Sequence, residues 1–174
     1  MDHSDHVNLL RNGVVATGGV WADLGAGSGA FTLALAELLG PGGEIHVVDR
    51  DSKALRANAE ATCRRFPANA VHYRTADFTE ALELSQLDGI VMANSLHFQL
   101  EQDAVVRLVR GYLRTGGRLL VVEYNINRGN FAVPYPVPYA SWERMARAAG
   151  FSHTELLGRR PSRFLKEIYS AASW

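Results

Sequence analysis

The chain has a single cysteine, Cys63, no surplus of either charge, and no apolar run long enough to cross a bilayer. One thiol excludes an internal disulfide and any multi-thiolate metal centre. It also fits the reducing conditions of the cytoplasm, which is the expected location. Eighteen Lys and Arg balance eighteen Asp and Glu, so no global positive field exists to hold a phosphate backbone by counterion release. Nucleic acid is therefore not expected as a partner, and the cluster Arg159, Arg160 and Arg163 reads as a solvated turn. The start, MDHSDHVNLL, lacks the basic opening and apolar core of a secretion signal. Its His3 and His6, interleaved with Asp2 and Asp5, have metal-ligand chemistry, but a polar terminal tail is more simply mobile and no metal is expected. Repeats, low-complexity tracts and linkers are also missing, so a single domain over residues 1–174 is expected.

What is present is a globular composition, 47% hydrophobic and 21% charged, enough to bury a core without staples. Short apolar runs alternate with helix-period segments, the pattern of strands and crossover helices in a parallel α/β sheet. Strands are expected at Val20–Leu24, Ile45–Val48, Val71–Arg74, Leu87–Ala93, Arg118–Tyr124, His153–Leu157 and Phe164–Ala171. The first helix starts at Ala30, with Phe31, Ala34, Leu35 and Leu38 on one face, and stops at Gly40-Pro41. In the second, Ser52 is the expected cap and Leu55, Ala59, Cys63 and Phe66 the inner stripe. A third carries Val105, Leu108, Val109, Tyr112 and Leu113 up to Thr115-Gly116-Gly117. A fourth, capped by Ser141, runs through Trp142, Met145 and Ala146 to Gly150. His46 and His72 fall in or beside strands and read as structural. Gly158 and Pro161 mark a polar turn between the last two strands, and residues 125–139, rich in Asn, Gly and Pro, are the one long irregular stretch.

Chemistry concentrates at the first strand-to-helix turn, Asp23-Leu24-Gly25-Ala26-Gly27-Ser28-Gly29. Glycines there let the backbone turn sharply and approach a ligand, and unpaired N–H groups at a helix start favour polar or anionic atoms. Gly25, Gly27 and Ala30 also fit the G-x-G-x-x-A of a nicotinamide-dinucleotide fold, so an oxidoreductase is an alternative. Three acids weigh against it. Asp23, at the strand end, would repel a pyrophosphate and attract an ammonium or sulfonium. Asp49, ending the second strand, can accept both hydroxyls of a ribose. Asp77-Phe78, after the third strand, pairs an acid for an adenine amino group with a ring for the base.

With its glycine turn DLGAGSG and acids at successive strand ends, the sequence resembles the class I S-adenosylmethionine-dependent methyltransferases, marked by D/E-x-G-x-G-x-G. The resemblance runs from about Val20 to the C-terminus, through EIHVVDRD, ADF, LDGIVMANSLHF, LRTGGRLLVVEY and MARAAGF. It implies a Rossmann-like doubly wound sheet of order 3-2-1-4-5-7-6 with the last strand antiparallel, and a cofactor across the C-terminal ends of strands one to four. On that likeness Asp23, Gly25, Ala26 and Gly27 hold the methionine end, Asp49 and Arg50 the ribose side, Asp77 and Phe78 the adenine, and Asn94 and Leu96 the side next to the acceptor. The acceptor side comprises His97, Phe98, Glu123, Tyr124 and Tyr135. Any cover must come from residues 1–13, residues 125–139 or a second subunit, and the chain is expected as a monomer or homodimer. ANSLHF lacks the Asn/Asp-Pro-Pro-aromatic of enzymes that methylate adenine or glutamine amines. It looks instead like the matching segment of small-molecule methyltransferases.

Methyl transfer from a sulfonium asks mainly for proximity and in-line orientation. A base is needed only when the nucleophile must lose a proton. Histidine has an ordinary pKa near neutrality, and His97 lies just past strand four. It is the expected catalytic residue, the other reading being a histidine that only lines the pocket. Glu123, Tyr124 and Tyr135 are the weaker candidates. A module that binds the cofactor without turnover is a further alternative.

Overall fold

The computed structural model describes residues 1–162 and 164–174; the expected turn position Arg163 lies outside them. Seven strands form one sheet of order β3-β2-β1-β4-β5-β7-β6, the order implied by the resemblance. The strands are β1 Gly19–Leu24, β2 Gly43–Asp49, β3 Ala70–Thr75, β4 Leu87–Ala93, β5 Leu113–Tyr124, β6 Thr154–Ser162 and β7 Lys166–Ser173. β1 pairs in parallel with β2 and β4, β2 with β3, and β4 with β5. β7 runs antiparallel to both of its neighbours.

Helices α1 His3–Leu10, α2 Ala30–Leu39 and α3 Ser52–Arg65 cover one face, and α4 Gln102–Arg110 and α5 Tyr139–Ala149 the other. The period-two alternation of the strands divides the core accordingly. Trp21, Val47, Val91, Leu120 and Val122 point toward α1–α3. Ala22, Leu24, Val48, Ile90, Met92, Leu119 and Val121 point toward α4 and α5. Between β1 and β4 the strand order reverses, and the crossovers leave on opposite faces. A crevice opens there at the C-terminal ends of the strands, the usual ligand position in an open α/β sheet.

Several local expectations are corrected. The N-terminus is not a loose tail: Asp2 and Asp5 form a capping box, and α1 buries Val7, Leu9 and Leu10 in the core. Its histidines are engaged, His3 with Glu37 at 2.7 Å and His6 edge-on to Phe31. Asp51, not Ser52, caps α3 by accepting the N–H groups of Lys53 and Ala54. The buried stripe of α3 is Leu55, Asn58 and Thr62, while Cys63 is exposed; polar residues occupy the inner face, so hydrophobic periodicity misplaces it. Helix α4 ends at Arg110, and Leu113 pairs with Leu87 at the start of a longer β5. Helix α5 begins at Tyr139 after Pro138, ahead of Ser141. Gly158 and Pro161 lie within β6 instead of a turn. This is the edge strand, where a proline costs no ladder bond on its open side. His46 and His72 are register partners on β2 and β3, stacked on each other, with Glu44 3.3 Å from both. No helix among the described residues is long and apolar enough to cross a membrane.

Candidate active site

The cleft at the strand-order reversal encloses about 280 Å³ and is lined by Gly25, Gly27, Asp49, Arg50, Ala76, Asp77, Phe78, Asn94, Ser95, Phe98 and Gln99. The glycine turn forms one wall. A Cβ on Gly25, whose φ is +76°, would stand 2.5 Å from Ser95 Cβ and 3.0 Å from the Phe78 ring, so glycine lets the turn, β4 and the Phe78 segment close together. Gly27, at φ +53°, has open space where its Cβ would be. Its bare backbone faces the cleft.

The turn is not the free anion cradle expected from the sequence. Gly25 N–H and Ala26 N–H both donate to the Val48 carbonyl, and Gly27 N–H donates to Asp49 Oδ2 at 2.7 Å. The N–H groups that hold a pyrophosphate in a dinucleotide fold are therefore used internally, and a carboxylate stands over them. Asp49 Oδ1 accepts the Asp51 N–H. Asp49 is thus fixed at the cleft edge with acceptor capacity to spare, since a carboxylate offers about four lone-pair directions.

Asp77 Oδ1 accepts both the N–H and the hydroxyl of Thr79, which hold this carboxyl below the usual range, helped by the Arg50 guanidinium. Phe78 is buried beside it. Asn94 sits in the left-handed region at φ +52°, and its Oδ1 is buried with no hydrogen-bond partner among the described residues. A strained residue at a strand end whose buried acceptor is unmatched inside a cleft is suited to a ligand N–H donor.

Other expected site residues lie behind the cleft walls. Asp23 is fully buried and its Oδ2 accepts the Thr32 hydroxyl at 2.6 Å. Burial pushes its carboxyl up to about 7, against the opposing effect of the Thr32 bond and with a small push from Asp49. Leu96 is buried. His97 is 2% exposed, with Nδ1 held 2.5 Å from Glu123 Oε2. Glu123 itself is 0% exposed, and its other oxygen accepts the backbone N–H groups of Leu96 and His97. Glu123 thereby ties the segment after β4 to the end of β5. The same segment anchors the 125–139 stretch, because Tyr135 N–H donates to the His97 carbonyl and Gln102 Nε2 donates to the Tyr135 carbonyl at 2.7 Å. Tyr124 packs edge-on to Phe164, and Tyr135 and Phe98 are exposed. Helix α1 contributes none of the cleft lining. Ala76, Ser95 and Gln99 line the cleft without having been singled out; each is a neighbour of an expected residue, the only signal that pointed to it.

An α/β sheet of this order, with a glycine turn and acids at the ends of β1 and β2 and just past β3, defines the class I S-adenosylmethionine-dependent methyltransferase fold. The sequence matches the Methyltransferase domain family over residues 22–119, more than half of the chain, and the protein belongs to that family. S-adenosylmethionine is the family's cofactor. Among relatives, the ubiquinone/menaquinone biosynthesis C-methyltransferase UbiE of Pasteurella multocida is 31% identical over 105 residues, covering 59% of this chain and 39% of that protein. The chain spans about two-fifths of the length of the curated relatives it matches. Among solved structures, YcgJ of Bacillus subtilis superposes with a TM-score of 0.79 at 13% identity, covering 98% of both chains. A phosphoethanolamine N-methyltransferase of Haemonchus contortus, solved with S-adenosylhomocysteine, gives 0.78 at 16% identity, covering 98% of this chain and 52% of that one. At these identities the structures establish the fold alone.

Proposed function

We propose that residues 1–174 act as one unit that transfers a methyl group from S-adenosylmethionine to a small-molecule acceptor by in-line displacement. The observation that carries this is the cleft itself, lined along one glycine-walled crevice by Asp49, Asp77 with Phe78, and Asn94, whose buried Oδ1 has no partner among the described residues. The residues fit the cofactor's chemistry. Asp49 is the acceptor for ribose hydroxyls, Arg50 flanks it, and Asp77 with Phe78 takes the adenine. Gly25, Ala26 and Gly27 form the wall for the methionine end, backed by the buried carboxyl of Asp23. Asn94 Oδ1 accepts an N–H donor, and Leu96 fixes the backbone next to it. When bound, S-adenosylmethionine supplies an electrophilic methyl on a sulfonium.

The chain's own contribution is mainly orientation. Phe98, Tyr124 and Tyr135 bound the acceptor side, with 125–139 as its loop. The UbiE relatives are named as C-methyltransferases, which makes a carbon nucleophile the first class to screen. For a hydroxyl acceptor, His97 is the proposed base. Glu123 on Nδ1 selects the tautomer whose Nε2 is basic, and the rings of Phe98 and Tyr124 pack beside the imidazole, with centroids 4.3 and 6.1 Å away.

The test is ligand-dependent melting. S-adenosylmethionine and S-adenosylhomocysteine are expected to stabilise the protein, by about 2.7 kcal/mol at one hundred times the dissociation constant, and NAD to leave it unchanged. Stabilisation by NAD alone would overturn the assignment. Binding followed by no transfer to any acceptor in a labelled-cofactor screen would leave a binding module.

A further inference from the structure

A chain of buried polar side chains runs from the glycine turn into the interface between α2 and α3. Thr32 on α2 donates its hydroxyl to Asp23 at 2.6 Å, and Asn58 on α3 donates its amide to Thr32 at 2.8 Å. Thr62, one turn on, donates its hydroxyl to Asn58 Oδ1 at 3.0 Å. Asp23, Thr32, Asn58 and Thr62 are each no more than 1% exposed. Every donor points the same way, toward the Asp23 carboxyl, so each bond polarises the next and the whole series favours negative charge at its end. The last glycine of the turn is shaped around it. A Cβ on Gly29, at φ +97°, would stand 2.5 Å from the Asn58 amide carbon.

A buried carboxyl whose only hydrogen-bond donor among the described residues is one hydroxyl has a charge state open to the bound ligand. Burial disfavours the anion, and the Thr32 bond opposes that. The ionisable groups acting with Asp23 are Asp49 at the end of β2 and Tyr73 on β3. Neither supplies a positive charge. Among the described residues no cation acts on Asp23, so a cation that favours its anion comes from the ligand: both S-adenosylmethionine and its demethylated product bring an α-ammonium, and only the donor adds a second positive charge. S-adenosylmethionine differs from its demethylated product by one positive charge, on the sulfur.

We propose that Thr32 and Asn58 are positioning residues that keep Asp23 able to ionise beneath the glycine turn, and so make the site prefer the cationic methyl donor over its neutral product. The inference rests on the cofactor reading above and extends it to two residues, outside the cleft lining, that set selectivity between donor and product.

The test is calorimetric binding of S-adenosylmethionine and S-adenosylhomocysteine from about pH 6 to about pH 8, in paired buffers of different ionisation enthalpy. In the wild type the preference for the donor should rise with pH, by about tenfold for each unit by which the sulfonium lowers the acid's pKa. Donor binding near neutrality should release more protons than product binding. Thr32→Val should lower the preference at neutral pH and move its rise to higher pH, while Thr32→Ser should restore the wild-type profile and Asp23→Asn should flatten it. A pH-independent preference in the wild type with equal proton release would overturn the proposal, as would a Thr32→Val profile identical to wild type. If Thr32→Val does not fold, Asn58→Ala makes the same comparison, and the wild-type proton count decides without any variant. Failure of both ligands to bind would overturn this inference together with the cofactor reading, whereas binding of both with a flat preference overturns only this one.

Discussion

Asp23→Asn removes a buried acid while keeping its size and its capacity to accept the Thr32 hydroxyl. In the folded protein the Asp23 carboxyl titrates at about 7 against an ordinary 3.8, because burial penalises the anion. The native state therefore holds this proton more tightly than the unfolded chain. The resulting stabilisation is fully present below pH 3.8 and is lost as pH rises through about 7. At 1.36 kcal/mol per pH unit, the loss between about pH 5 and pH 8 is roughly 2–3 kcal/mol. For a chain of this size, at about 2–4 °C per kcal/mol, that corresponds to roughly 4–12 °C in Tm. The Asn variant carries no such titration. Its Tm relative to wild type should climb by that amount when cofactor-free protein is melted in a calorimeter at about pH 5 and then at about pH 8, at matched ionic strength. Parallel Tm curves for the two proteins across this range would refute the buried-acid argument.

Asp49→Ala should weaken S-adenosylmethionine binding by about 1.5–3 kcal/mol, the range for hydrogen bonds to a charged group; unchanged affinity in a folded variant would remove Asp49 from the ribose role. Gly89→Ala places a Cβ 2.2–2.4 Å from the Trp21 ring. It should cost about 1–3 kcal/mol in urea melts by overpacking, with cofactor affinity unaltered in the protein that remains folded. His97→Gln should bind cofactor normally and transfer to a hydroxyl acceptor about one hundred to ten thousand times more slowly. Wild-type single-turnover rates would reduce His97 to its packing role with Glu123.

Elements with local signals could be read directly from the residues. β4 stands where its apolar run places it, Leu87–Ala93, and α2 runs to the Gly40-Pro41 stop. The glycine turn with acids at strand ends was legible because a sharp turn beside a ligand restricts which residues fit. Strand order was available only through family resemblance, since no local pattern says which strands are neighbours. Features that depend on contacts between distant segments became visible in the folded chain. Residues 23, 32, 58 and 62 belong to three elements, and their polar side chains on an inner helix face run against hydrophobic periodicity. The turn's N–H groups read as free because their partners, Val48 and Asp49, lie on another strand. The partner of His97 was hidden for the same reason. The carboxylate that holds it, Glu123, is 26 residues away on β5, brought beside it by the parallel pairing of β4 with β5.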